Sequence, residues 1–249
     1  MSSSQCCSST EEQSIEQIRK LYTELAHRPE KDFGWGKGKE NARCLGYDPT
    51  WLERLPDDVW SSAAAVGNPF SLGPIRQGET VVDLGCGAGA DLCIAALLVG
   101  DAGRAYGVDI TPAMVERSKR NAALIGVGHV EVFEADMALI PLEDGCADVV
   151  IANGSLNLSP RKACVLKEIY RILRSGGRFQ FADMVQDVSA QDAGKTYGGS
   201  WADCVSGTLA PEDLFGMLSK AGFLRVELVG FTGYRTAPTT IGALIRAAK

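Results

Sequence analysis

Hydrophobic and polar positions change period along the chain. Apolar residues at Ile15, Ile18, Leu21, Tyr22 and Leu25 recur at three- and four-residue spacing and predict an amphipathic helix ending near His27–Pro29. Residues 32–41 (DFGWGKGKEN) are glycine-rich and read as a loop. A short helix around 49–55, the turn Leu55-Pro56-Asp57 and another helical piece lead to Gly67-Asn68-Pro69-Phe70. From Glu79 short apolar runs take over. Strands are predicted at Thr80–Leu84, Ala105–Val108, Val130–Glu134, Asp148–Ala152 and Arg178–Asp183. Helices fall between them: one to about Val99, one from the Thr111-Pro112 cap to about Leu124, and one over 162–173 stopped by Ser175-Gly176-Gly177. This alternation predicts a doubly wound, mostly parallel α/β sheet. Further on, helices are expected at 197–207 and 211–221, and strands at 224–231 and 239–246 that add a closing hairpin; Ile241–Ile245 also fits a helical turn. The expected organisation is a disordered tail at 1–14, a helical lid at 15–75, a ligand-binding core at 76–185 and a sheet-completing region at 186–249.

Charge narrows the partners. With 25 Lys+Arg against 31 Asp+Glu the net charge is −6 and the pI about 5.1, which argues against nucleic acid. No apolar run reaches the ~18–20 residues of a membrane span, and the first fifteen residues lack the apolar centre of a signal peptide. A cytoplasmic protein with no membrane association is expected. Eight cysteines stand out, too few for a disulfide scaffold at ~8–10% of the chain. No CxxC pattern occurs, so reduced thiols acting as core fillers, ligands or nucleophiles are expected.

The segment Val81-Val82-Asp83-Leu84-Gly85-Cys86-Gly87-Ala88-Gly89-Ala90 places glycines on a strand–turn–helix, where a ligand can approach the backbone. The glycines alone fit either a dinucleotide or S-adenosylmethionine (SAM). Asp83 separates the two. A pyrophosphate at this turn would be repelled by a carboxylate two residues before Gly85, whereas the ammonium and sulfonium of SAM would be attracted. The other strand ends agree with SAM. Asp109, in Gly107-Val108-Asp109-Ile110, can accept both ribose hydroxyls. Asp136 can accept from the adenine amino group with Met137 flanking the ring, and Asn153 ends the fourth strand at the ligand edge of the sheet.

These residues resemble the class I SAM-dependent methyltransferases over about 76–185, through the motif DLGCGAG. The resemblance implies a Rossmann-like fold with Gly85, Gly87 and Gly89 under the cofactor, Asp109 on the ribose and Asp136 at the adenine. Four further segments narrow it: Gly67-Asn68-Pro69; Val108-Asp109-Ile110-Thr111-Pro112-Ala113-Met114; Asn153-Gly154-Ser155-Leu156-Asn157-Leu158-Ser159-Pro160-Arg161-Lys162; and Trp201-Ala202-Asp203-Cys204-Val205-Ser206-Gly207-Thr208-Leu209. Together they resemble the arsenite methyltransferases over most of 40–231. That family implies As(III) bound by cysteine thiolates, soft ligands for a soft centre, while the arsenic lone pair attacks the SAM methyl carbon without a general base. Having only His27 and His129 fits this.

By the same resemblance Cys204 and Cys44 are the matched thiols, the latter through a looser local likeness. Val66 and Gly154 stand where the family has cysteines. Two of four thiols are therefore missing, and a three-thiolate cage for inorganic arsenite cannot be assembled from the matched positions. Two thiols suffice for an arsenical already carrying one carbon substituent. The expected acceptor is accordingly a monosubstituted organoarsenical bound by Cys44 and Cys204, with a thiol reductant as partner. Two other readings stay open: a SAM-dependent methyltransferase of a small organic molecule, and a non-catalytic SAM- or arsenic-binding module. Cys86, Cys93 and Cys164 read as packing, Cys146 is undecided, and Cys6–Cys7 is a candidate arsenic relay. Phe33, Trp35 and Trp60 belong to the lid, and Lys37–Lys39 to a solvated loop.

Overall fold

The structure is a computed structural model and describes residues 9–187, 189 and 207–249. Seven strands form one sheet in the order β3-β2-β1-β4-β5-β7-β6. They are β1 (Thr80–Leu84), β2 (Arg104–Asp109), β3 (Val130–Glu134), β4 (Ala147–Asn153), β5 (Leu173–Gln186), β6 (Leu224–Phe231) and β7 (Thr240–Ala248). The first five pair in parallel, and β7 runs antiparallel between β5 and β6. The helices are α1 (Ser9–His27), α2 (Gly38–Cys44), α3 (Pro49–Arg54), α4 (Asp57–Trp60), α5 (Ala90–Val99), α6 (Pro112–Leu124), α7 (Lys162–Ile172) and α8 (Pro211–Ala221). This is the Rossmann-like α/β architecture expected from the strand–helix alternation.

Why β1 sits centrally follows from its composition. Val81, Val82 and Leu84 are fully buried, as a strand covered on both faces requires. One face packs with Leu166, Ile169, Phe179 and Phe181, the other with Ala95, Val99 and Ile151. The strand order reverses between β1 and β4, which run parallel, so a crevice opens at their carboxyl ends. Into it project residues from Asp83, Asp109 and Asn153, each at or one residue before a strand end.

Three boundaries differ from expectation. α1 begins at Ser9, so residues 9–14 are helical rather than tail: Glu11 and Glu12 sit in its first turn, where the helix dipole favours acids. Ser175-Gly176-Gly177 does not cap a helix. α7 ends at Ile172 and β5 starts at once with Leu173 opposite Ala147; the glycines form an irregularity before pairing resumes at Arg178 opposite Val149. Residues 240–248 are strand, with every position from Arg178 to Gln186 paired to β7. The expected helix at 197–207 lies outside the described residues, apart from Gly207.

Candidate functional site

The glycine turn is built by backbone geometry only glycine adopts freely. Gly85 has φ +67°, and a Cβ there would lie 2.3 Å from Ser155 Cβ, so the β1–α5 turn can press against the β4 loop only without a side chain. Ser155 completes the joint by donating to Leu84 O at 2.6 Å. Gly87 has φ +52°, and a Cβ added there meets nothing within 4 Å, because it faces the open crevice. The turn therefore presents bare backbone to a ligand. Gly89 is different. It caps α5 from below, packed against Ser118, and is not in the crevice wall.

The crevice is lined by Asp83, Gly85, Gly87, Asp109, Ile110, Asp136, Met137 and Asn153, which brings eight of the nine expected cofactor residues to one cavity. From α1 come Ile15, Ile18 and Tyr22, and from the segments after it Ala42, Tyr47 and Trp60. Trp60 is both wall and core, 1% exposed; Phe33 and Trp35 pair with each other at 5.3 Å and are not in the wall. Among the described lining residues there are four aspartates, Asp83, Asp91, Asp109 and Asp136, and no Lys, Arg or His.

Each carboxylate has a distinct environment. Asp83 is 2% exposed and its Oδ2 has no hydrogen-bond partner. Burial, then repulsion from Asp91 and Asp109, push its carboxyl well above the usual range. Asp91 accepts from Tyr47 OH at 2.8 Å and from Asn153 Nδ2 at 2.9 Å; burial still pushes it up to about 6. Asp109 accepts from Gly87 N at 2.9 Å and Thr111 N at 2.8 Å, which ties the β2 end to the glycine turn, while burial raises its carboxyl. Asp136 accepts from Ala138 N at 2.7 Å and forms an ion pair with Arg161. An unpartnered buried carboxylate oxygen is costly unless a ligand or proton satisfies it. The site is therefore built for a ligand with cationic parts.

Asn153 plays a role the sequence did not disclose. Its Oδ1 accepts from Val66 N at 2.9 Å, and its Nδ2 lies 2.9 Å from Tyr47 OH, Gly67 O and Asp91 Oδ2. Its amide thus joins β4 to the segment before the core and to α5. It positions the wall. Asp91 and Tyr47 were missed altogether: an acid in a helix's first turn reads as ordinary dipole compensation, and a lone tyrosine carries no local pattern.

The thiols divide sharply. Cys44 is exposed at the end of α2. Gly38 and Ala42 of the same helix line the crevice; at 100° per residue Cys44 lies about 160° around the axis from Ala42. The structure does not bring Cys44 to the cavity. Cys204, Cys6 and Cys7 lie outside the described residues. Cys86 is in the wall but buried, and burial followed by Asp109 and Asp83 raises its thiol well above the usual range, so it stays a neutral filler. Cys93 is fully buried and pushed up to about 12. Cys146 and Cys164 are half-buried. Among the described residues no three His, Cys, Asp or Glu side chains are grouped to hold a metal ion. Positions 66 and 154 are neighbours: a Cβ on Gly154 would lie 3.2 Å from Val66 Cγ1. Where the arsenite methyltransferase resemblance has two cysteines, this chain has a buried Val66 and a Gly154 that lines the crevice.

A family model described as a methyltransferase domain matches residues 75–222. Over 184 residues the chain is 38% identical to an arsenite methyltransferase of Halobacterium salinarum, covering 74% of this chain and 47% of that protein. An arsenite methyltransferase of Aquipseudomonas alcaligenes is 32% identical over 190 residues, 73% of this chain and 55% of that one. Among solved structures, an arsenic(III) S-adenosylmethionine methyltransferase from Chlamydomonas reinhardtii matches with a TM-score of 0.60 and 27% identity, covering 86% of this chain and 73% of that one. The chain spans about half the length of the curated relatives it matches. Among the described residues no helix is long and apolar enough to cross a membrane.

Proposed function

Because the chain belongs to the methyltransferase-domain family, we propose that it is a SAM-dependent methyltransferase whose acceptor is a trivalent arsenical, specifically a monosubstituted organoarsenical rather than inorganic arsenite. The observation that carries the cofactor is the cavity's charge: among the described lining residues there are four carboxylates, of which Asp136 is ion-paired to Arg161, no Lys, Arg or His, and an orphaned Asp83 Oδ2 at a glycine turn. A pyrophosphate-bearing dinucleotide would be repelled there; a ligand with an ammonium and a sulfonium fits. Asp83 holds the methionine ammonium, bare backbone at Gly85 and Gly87 admits the ligand, Asp109 and Ile110 hold the ribose, and Asp136 with Met137 holds the adenine. When bound, SAM supplies an electrophilic methyl on positively charged sulfur. The chain's own residues orient it and exclude water, with Ile15, Ile18 and Tyr22 covering the crevice. No proton need leave an arsenic lone pair, which agrees with the absence of histidine among the described lining residues.

The arsenic acceptor rests on kinship with the arsenite methyltransferases. Its restriction rests on Val66 and Gly154, which stand where the resemblance implies thiols. With Cys44 turned away, the proposal places arsenic on the Cys204 thiolate, its second exchangeable valence occupied by a small thiol that also serves as reductant. A reducing, cytosolic setting belongs to the same proposal.

The test is product formation. Purified protein with SAM and a small thiol is given arsenite, a methylated As(III) species or no arsenic, and S-adenosylhomocysteine is followed by mass spectrometry. Turnover is expected with the methylated species alone, reduced at least about tenfold by Cys204→Ser and unchanged by Cys44→Ser. Equal turnover with arsenite, or full activity of Cys204→Ser, contradicts the acceptor assignment.

A further inference from the structure

We propose that the buried group of Asn157, Lys162 and Asp183 is a positioning device for methyl transfer: it seats Gly207 against the wall of the crevice and so bounds how far Cys204, three residues earlier, can stand from the cofactor. The proposal rests on the reading above that Cys204 carries the acceptor, and it adds positioning residues to that reaction.

Three elements contribute to the device. Asn157 belongs to the tight 3-10 turn Leu156–Leu158 after β4, Lys162 opens α7, and Asp183 lies on β5. All three are buried. Asp183 accepts from Asn157 N at 3.1 Å, from Asn157 Nδ2 at 2.8 Å and from Met184 N at 2.7 Å, and Asn157 Nδ2 also donates to Met184 O. These bonds hold the turn on β5 and fix the direction of its carbonyls. Lys162 Nζ donates to Asn157 O at 2.9 Å and to Ser159 O at 3.0 Å, while its charge acts on Asp183. A buried ammonium must be satisfied by such partners, and they hold it in one geometry. Leu158, Ser159 and Pro160 line the crevice. The same lysine therefore fixes both the wall and the Asn157 carbonyl.

Gly207 meets that carbonyl. A Cβ at Gly207 would lie 2.3 Å from Asn157 O and 3.3 Å from Lys162 Nζ, so the backbone reaches this seat only without a side chain. The chain beyond it stays pinned. Thr208 is buried and its carbonyl accepts from Gln186 Nε2 at 3.2 Å, and Leu209 O accepts from Gln186 N at 2.9 Å. Gly207 is thus clamped between the turn and the end of β5. Three residues of chain span at most about 11 Å, so the seat bounds the distance from Cys204 to the wall at 158–160. The two segments of the resemblance that contain Asn157 and Gly207 come together at this one close approach. A side chain at Gly207 would displace the backbone by close to about 1 Å, a misplacement that can lower a rate about a hundredfold.

Steady-state kinetics on the full chain test this, with SAM, a small thiol and a methylated As(III) species as reactants and calorimetry giving SAM affinity. Gly207→Ala should lower kcat about a hundredfold, and Lys162→Met, which takes the ammonium from both carbonyls, about tenfold. Both should bind SAM within about twofold of wild type, which also reports that they are folded. Gly216→Ala on α8, where a Cβ meets nothing within 4 Å, should turn over like wild type. If Gly207→Ala does not fold, Lys162→Met decides. Wild-type kcat in either folded variant, a fall in SAM affinity that matches the fall in kcat, or an equal loss in Gly216→Ala overturns the proposal while leaving the acceptor reading intact. A wild type that turns over no arsenical overturns both.

Discussion

Removing one hydroxyl tests the wall of the site. Tyr47→Phe keeps the ring, which packs edge-on against Trp60 at 5.9 Å, Phe70 at 6.3 Å and Trp51 at 6.5 Å. It deletes the donor to Asp91 Oδ1 at 2.8 Å, a longer bond to Gly67 O at 3.3 Å and one of three acceptors around Asn153 Nδ2, which keeps Gly67 O and Asp91 as partners, so the bond to Asp91 is the main loss. A hydrogen bond to an ionised carboxylate contributes about 1.5–3 kcal/mol and to a neutral one about 0.5–1.5 kcal/mol. The sign with pH follows from Asp91. Its folded value of about 6 lies above an unfolded value of about 3.9, and the Tyr47 hydroxyl restrains the rise. An acid with a raised folded value loses stability as pH climbs from the unfolded to the folded value. Without the hydroxyl the folded value rises further, so the variant's additional penalty accrues above about pH 6 and vanishes well below it. Urea unfolding without ligand at about pH 5 and pH 8 is the assay. The expected loss is about 2 kcal/mol at the higher pH, or about 4–8 °C in Tm for a chain of this size, and about half that at the lower. Equal losses at both, or a larger one in acid, refute the assigned network.

Two further outcomes follow from the glycine turn and the thiols. Gly87→Ala places a Cβ in open crevice at φ +52°, so unfolding experiments should show a loss of only about 1–2 kcal/mol while calorimetry shows SAM affinity falling about tenfold or more. Gly85→Ala drives a Cβ to 2.3 Å from Ser155 and should fail mainly in the thermal melt. Iodoacetamide mapping of folded protein near pH 8 should label exposed Cys44 within minutes and leave Cys86 and Cys93 unmodified until denaturant is added.

Much of the core was legible because its signals are local. Short apolar runs ending in Asp109 and Asn153, and a glycine turn after Asp83, announce a parallel sheet and its ligand edge from sequence spacing alone. What was not legible depends on contacts between distant segments. Asp91 becomes a site residue only because Tyr47, 44 positions earlier, and Asn153, 62 positions later, meet it. Asn153 was placed correctly at the crevice, yet its amide is consumed by the protein itself. The bend at Ser175–Gly177 misled because the same glycines that cap a helix also permit an irregularity at a strand's start. Cys44 shows the limit of likeness by motif: which face of a seven-residue helix turns inward is decided by packing of Ala42, which no short match reveals.

Equilibrium binding of SAM and of NAD to wild-type protein and to Asp83→Asn tests the central claim that the cavity's negative charge selects the cofactor. The account predicts that wild type binds SAM and not NAD, and that Asp83→Asn, still folded, binds SAM about tenfold or more weakly. Tight NAD binding by the wild type, or SAM affinity unchanged in Asp83→Asn, would contradict it.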